Sequence, residues 1–189
     1  MGLPEEQVKA SAYLRERATR LGPSEIRARV GAAFGNFDLV ANLREAEARR
    51  RPAPGAWCIQ EVVDHLVETN RASLEELGSL LRGERPAGPP IPAGLQSGAP
   101  LARPWPDLVS ELREVNRAVL SLLDSAGPDL PTAATAPVVM VVNVTRPDGS
   151  KGSHSWVEEL DWKAYALVVR LHALEHASQI KAIRQDQAD

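Results

Sequence analysis

Cysteine is nearly absent from this chain. A single thiol, Cys58, in 189 residues excludes an internal disulfide framework, a cysteine-rich zinc finger and an iron–sulfur cluster held by this chain alone. Aromatic residues are scarce too, at 4%, and 22 basic side chains stand against 25 acidic ones for a net charge of -3. With no basic block and few rings to stack on bases, the sequence lacks the electrostatic footprint of a nucleic-acid binder. Long apolar runs are also missing, none approaching the roughly 20 residues that span a bilayer. The opening Met1-Gly2-Leu3-Pro4-Glu5-Glu6 has neither the basic head nor the apolar core of a signal peptide. These absences predict a soluble cytoplasmic protein with no nucleic-acid or membrane partner. Histidine is rare as well, at His65, His154, His172 and His176, so any metal or imidazole chemistry must run through those positions.

What the chain does have is helical periodicity. Residues 5–20 are good helix formers, stopped by Leu21-Gly22-Pro23, and Ser24 reads as the cap of the next helix. Ile26, Val30, Ala33, Phe34, Phe37, Val40 and Leu43 then recur at helical spacing and predict one long helix from Glu25 to about Arg50. Pro52-Ala53-Pro54-Gly55 ends it. A second helix opens at Cys58, with Glu61 at the carboxylate position of a capping box, and its apolar stripe runs to about Leu81. Seven prolines between residues 83 and 106 predict an extended crossover. At about 3.3 Å per residue it is long enough to return along a whole helix, so the second and third helices can run parallel.

A third helix is expected from about Asp107 to Ser125. The β-branched run Val138–Val144, the turn signal Pro147-Asp148-Gly149 and a return at Ser153–Trp156 predict a small hairpin, followed by a last helix from near Val157 past Ile183. The expected fold is all-α, a four-helix bundle with an extra N-terminal helix over about 5–20 and a β-hairpin between the third and fourth bundle helices. One domain would occupy 1–189, with the bundle in 24–187.

On the last helix Tyr165, Val168, Val169, His172, His176, Gln179 and Ile183 share one face, so both histidines must turn toward the core. Burying imidazoles without partners costs roughly 1–3 kcal/mol each. Their i, i+4 spacing places two rings within reach of one metal ion. His65, on the flank of the second helix's stripe with Val62 and Thr69, is the candidate third ligand. Three neutral imidazoles with an open position suit zinc, nickel or a similar divalent ion. Glu61, Glu68 and Glu175 are the expected carboxylate partners, and Gln179 is placed to hydrogen-bond a ligand or a neighbouring helix. His154, between serines, reads as a solvated loop residue, and Cys58 as a structural cap or partly buried thiol, about 10.5 Å before His65 along the axis.

The segment Pro54-Gly55-Ala56-Trp57-Cys58-Ile59-Gln60-Glu61-Val62-Val63-Asp64-His65-Leu66 resembles the "W-S-x-x-E-x-x-x-H-L" helix entry of the DinB/YfiT-like superfamily. Leu171-His172-Ala173-Leu174-Glu175-His176-Ala177-Ser178-Gln179-Ile180 resembles its "H-x-x-x-H-x-x-Q-I" segment. The resemblance runs from about Ser24 onward, with Cys58 where the family usually carries Ser or Thr. It implies an up-down-down-up bundle, a divalent metal on His65, His172 and His176, and homodimers. It also implies kinship with S-transferases and isomerases that use low-molecular-weight thiols such as bacillithiol or mycothiol. The expected activity is a metal-dependent transfer of such a thiol to a small electrophilic substrate, or a hydrolase-like reaction. The rival from another class is a non-enzymatic metal or small-molecule binding module. A purely structural bundle with hydrogen-bonded histidines ranks third.

Overall fold

A computed structural model of the chain describes residues 5–145 and 149–186. Helix α1 (Glu5–Arg20) is followed by α2 (Pro23–Phe34), a 3-10 segment (Gly35–Val40), the single turn α3 (Glu45–Arg49) and α4 (Ile59–Leu81). A crossover with a 3-10 turn at Pro100–Ala102 leads to α5 (Trp105–Asp124), and the strands β1 (Ala136–Thr145) and β2 (Lys151–Leu160) precede α6 (Trp162–Asp186). Helices α2, α4, α5 and α6 form the bundle, and no described helix is long and apolar enough to cross a membrane.

Side-chain partners fix the direction of each helix. Asn70 meets Asn116 and Arg71 meets Glu111, while farther along a methyl on Gly78 would touch Leu122, so α4 and α5 run parallel as the crossover length required. Leu21 accepts from Lys163 and Asn36 from Lys181, which makes α2 and α6 parallel as well. His65 faces His172 while Glu76 meets Tyr165, so α4 opposes α6. Arg27 pairs with Asp124, and Gly31 lies against Leu120, so α2 opposes α5. The result is the up-down-down-up order. Ile26, Val30, Ile59, Val62, Val63, Leu66, Leu108 and Ile180 are fully buried between the helices, each such side chain contributing about 1.5–3 kcal/mol.

The first bundle helix is not the continuous element that its periodicity predicts. It is capped by Gly22 rather than Ser24, with Pro23 at its first position, and breaks after Phe34. Gly35 and Asn36 are poor helix formers, and the chain tightens into a 3-10 segment. There the three-residue spacing keeps Phe34, Phe37 and Val40 on the core side. The last helix begins at Trp162, not near Val157. Residues 151–160 pair antiparallel with β1, from Ala136↔Leu160 to Thr145↔Lys151. Asp161 starts the helix by accepting from the Ala164 amide at 2.9 Å.

His154 is accordingly a strand residue, not a loop residue. It is half-buried opposite Val142, stacked on Trp156 and hydrogen-bonded to Gln7 at 3.0 Å. That contact and the hydrogen bond from Ser11 to Glu158, at 2.8 Å, dock α1 on the hairpin. Of the turn signal, Pro147 and Asp148 lie outside the described residues, as do Met1–Pro4 and the expected bundle limit at residue 187.

Candidate metal centre

Two antiparallel helices bring three imidazoles to one point. His172 and His176 stand one turn apart on α6, and His65 faces them from α4. The Nε2 atom of His172 lies 2.9 Å from Nε2 of His65 and 3.0 Å from Nε2 of His176. The remaining nitrogens of the outer two rings are committed. Nδ1 of His65 is 2.7 Å from the Leu95 carbonyl, a contact that only an N–H can make, and Nδ1 of His176 faces the Gln179 amide oxygen at 2.7 Å.

Two neutral rings with their protons on Nδ1 therefore direct Nε2 lone pairs at a third Nε2. One proton on His172 can satisfy only one of them, and the other pair would meet lone pair to lone pair. A cation removes the conflict. Nitrogens bound to one ion at about 2.0–2.1 Å stand roughly 3 Å apart, so the donor set and its spacing suit a divalent metal. Burial holds the imidazole of each below its ordinary pKa, most strongly for His172, where the neighbouring rings add to the effect. All three are thus in the neutral form that binds metal.

The Leu95 carbonyl is held in place by the crossover's anchorage to α4. Proline-rich backbone has no ladder of its own, so buried polar side chains of α4 supply the bonds. Gln60 donates to the carbonyls of Pro100 and Arg103, both at 2.9 Å, and the Glu61 carbonyl accepts from Gln96 at 3.0 Å. Asp64, fully buried, accepts from the Ser97 amide at 2.8 Å, the Ser97 hydroxyl at 2.7 Å and Arg103 at 2.7 Å. Arg103 also reaches Glu68 at 3.0 Å and pairs with Glu111. Trp57 packs its ring against His65, with centroids 5.2 Å apart.

The histidines open on a cavity of about 530 Å³ that is also lined by Thr69, Tyr165 and Glu175. The Thr69 hydroxyl donates to the His65 carbonyl at 2.7 Å, fixing that turn of α4. Glu61 and Glu68 do not serve the histidines. Glu61 caps the Cys58 amide at 2.8 Å and pairs with Arg51 at 2.6 Å, while Glu68 pairs with Arg71 and Arg103. Stronger cationic partners draw both carboxylates away, and a backbone carbonyl takes the role expected of them at His65. Cys58 is completely buried at the start of α4, and burial pushes its thiol pKa up.

Sequence reasoning passed over Asp64, Ser97, Arg103 and Glu76. The first three tie α4 to a loop whose path no periodicity reveals, with Asp64 accepting from Ser97 and Arg103 of that loop. Glu76 was visible as the residue eleven positions after His65, which returns to the same helical face at about 100° per residue.

Residues 36–148 match the family model of the DinB superfamily. Among solved structures the chain is similar to YfiT from Bacillus subtilis, described as a probable metal-dependent hydrolase with an unusual four-helix bundle topology. That match covers 99% of this chain and 91% of the other, with a TM-score of 0.54 and 16% sequence identity. At this identity the likeness bears on the fold alone. No curated protein matches the chain's sequence.

Proposed function

The chain belongs to the DinB superfamily, and from that membership we propose that it is a metal-dependent enzyme acting on a small electrophilic substrate with a low-molecular-weight thiol as nucleophile. His65, His172 and His176 would hold a divalent ion, zinc or nickel. The observation that carries this reading is the convergence of three neutral Nε2 atoms, with the outer rings locked through Nδ1 by Leu95 and Gln179. When bound, such an ion supplies Lewis acidity that polarises a substrate and lowers the pKa of a thiol or water.

The chain's own residues do the rest. Leu95 and Gln179 orient the outer imidazoles, and Thr69 braces the turn that carries His65. The largely apolar walls of the 530 Å³ cavity lower the polarity around the reacting groups. A thiol nucleophile would come from outside, because Cys58 is sealed in the core and its pKa is raised. Hydrolysis is the second reading, favoured by the description of YfiT as a probable metal-dependent hydrolase and by this lack of an available thiol in the chain.

The test uses untagged protein. Elemental analysis should find one divalent metal per chain, and small electrophiles such as epoxides and maleate-type alkenes should be consumed together with added bacillithiol, mycothiol or glutathione. Turnover of esters or amides at a rate independent of thiol would establish the hydrolytic reading instead. Stoichiometric metal with no turnover of either kind would leave a binding protein. Absence of metal, together with unchanged zinc and nickel binding in His→Ala variants, would overturn all three.

A further inference from the structure

The cavity has a second polar end. Tyr165, on α6, donates its hydroxyl to the Glu76 carboxylate of α4 at 2.7 Å, and both residues line the same cavity as the histidines. Glu76 lies eleven residues beyond His65 and Tyr165 seven before His172. On helices rising about 1.5 Å per residue these offsets amount to about 16 and 10 Å along the axes. Both return to the face of their histidine. The space between is walled mostly by apolar groups, Val138, Met140 and Val142 of β1, Ile91 and Pro92 of the crossover, and Val168 of α6, with Thr69, Asn70 and Ser73 along the α4 side.

The charge balance of that space is one-sided. Two carboxylates, Glu76 and Glu175, line it, and no Lys or Arg does among the described residues. Several other buried or half-buried acids have an arginine: Glu61 has Arg51, Glu158 has Arg15, and Glu68 has Arg71 and Arg103. Glu76 has only the phenol. Burial raises its pKa, as expected for a carboxylate whose counter-charge is missing. The adjoining cavity of about 410 Å³, which shares Ile91 and Pro92, is also lined by Glu76.

We propose that the Glu76–Tyr165 pair is a cation subsite, and that the ligand of this cavity is an elongated molecule with an apolar middle and a primary ammonium or amidinium group at the end away from the histidines. The inference rests on the metal-enzyme reading for the other end of the ligand. Glu76 accepts the N–H groups of the cation, and Tyr165 holds the carboxylate in position through its hydroxyl. The apolar walls favour a methylene or aryl linker over a polar one. An anionic group is repelled at the Glu76 end of the cavity, whereas the histidine end carries no such bar.

The test measures binding to nickel-loaded protein by calorimetry, with alkyl hydroxamates of graded length that end in either an ammonium or a methyl group. At the best-fitting length the ammonium form should bind roughly tenfold more tightly than its methyl counterpart. Glu76→Gln keeps an acceptor for Tyr165 and should erase that preference while leaving the methyl series unchanged. Equal or tighter binding of the methyl form by the parent protein overturns the subsite without any variant, and so does an ammonium preference that survives in Glu76→Gln. A separate arm needs no metal. Simple n-alkylammonium ions should raise the melting temperature of the metal-free parent more than n-alkanols do, and should not do so for Glu76→Gln. If the protein takes up no nickel, the metal reading fails; in that case, or if neither hydroxamate binds, this arm decides the subsite, and equal shifts with alkylammonium and alkanol overturn it.

Discussion

Replacing Asp64 by Asn is expected to damage a site that Asp64 does not touch. The carboxylate is fully buried and accepts three hydrogen bonds, two from Ser97 and one from Arg103, while Arg103 is 20% exposed and keeps Glu68 and Glu111 as partners. Hydrogen bonds to a charged group are worth about 1.5–3 kcal/mol each. Removing one partner of a buried ion pair costs about 3–5 kcal/mol when the survivor is stranded. Arg103 is not stranded, and Asn retains one acceptor, so the expected loss is about 2–4 kcal/mol. In a chain of this size that lowers the melting temperature by roughly 4–16 °C. The sharper effect is at the metal. Ser97 lies two residues after Leu95, whose carbonyl fixes the Nδ1 proton of His65, and loosening such a support typically costs 10–100-fold in metal affinity. Calorimetric titration with nickel or zinc, beside urea melts of the metal-free protein, separates the two effects. An Asp64→Asn protein that binds metal within twofold of the parent would refute the claim that this anchorage orients His65, whatever its stability.

Further expectations concern the histidines and the thiol. Alanine at His172, the central ring of the three, should abolish tight binding. In the parent, metal at about 100 times Kd should add about 2.7 kcal/mol of stability, a shift of roughly 5–11 °C that a chelator reverses. The metal-free protein should weaken in acid. All three imidazoles sit below their ordinary pKa when folded, so below about pH 6.5 the unfolded chain binds the extra protons, and stability falls by up to about 1.4 kcal/mol per pH unit for each ring. That stability is complete above the ordinary imidazole pKa, and a flat profile between about pH 7.5 and 5 in urea melts would contradict the assigned burial. Cys58→Ser should leave metal content and any thiol-dependent turnover unchanged, because the thiol is sealed in the core and burial raises its pKa. Loss of turnover in a folded, metal-replete Cys58→Ser protein would assign it a role.

Much of the bundle was legible because its helices carry uninterrupted apolar stripes, and the proline-rich stretch announced its own length. The errors fall where two periods coincide. Phe34, Phe37 and Val40 are spaced by three, which satisfies a 3-10 segment as well as an α-helix, and only Gly35 and Asn36 betray the break. Residues 157–160 read as helix by composition, yet Trp156, Glu158 and Leu160 alternate with exposed neighbours along a strand, and Asp161 marks the true start. The histidine pair was visible at i, i+4. The carbonyl that orients His65 was not, since a backbone oxygen on an irregular loop leaves no trace in residue identity. The same is true of the bonds from Asp64 that hold the loop.

The cavity takes its two kinds of wall from different parts of the chain. The imidazoles stand on α4 and α6, which pack into the core, whereas much of the apolar lining belongs to β1, one strand of a ribbon that has two strands among the described residues, and to the crossover. Side chains at Val142 and Ile91, which lie outside the buried core, are therefore expected to be exchangeable without disturbing the helices that set the nitrogen geometry. On the proposed reading, donor set and ligand choice are in this sense separately heritable: a change of ribbon re-shapes what the cavity admits while the three imidazoles stay as they are.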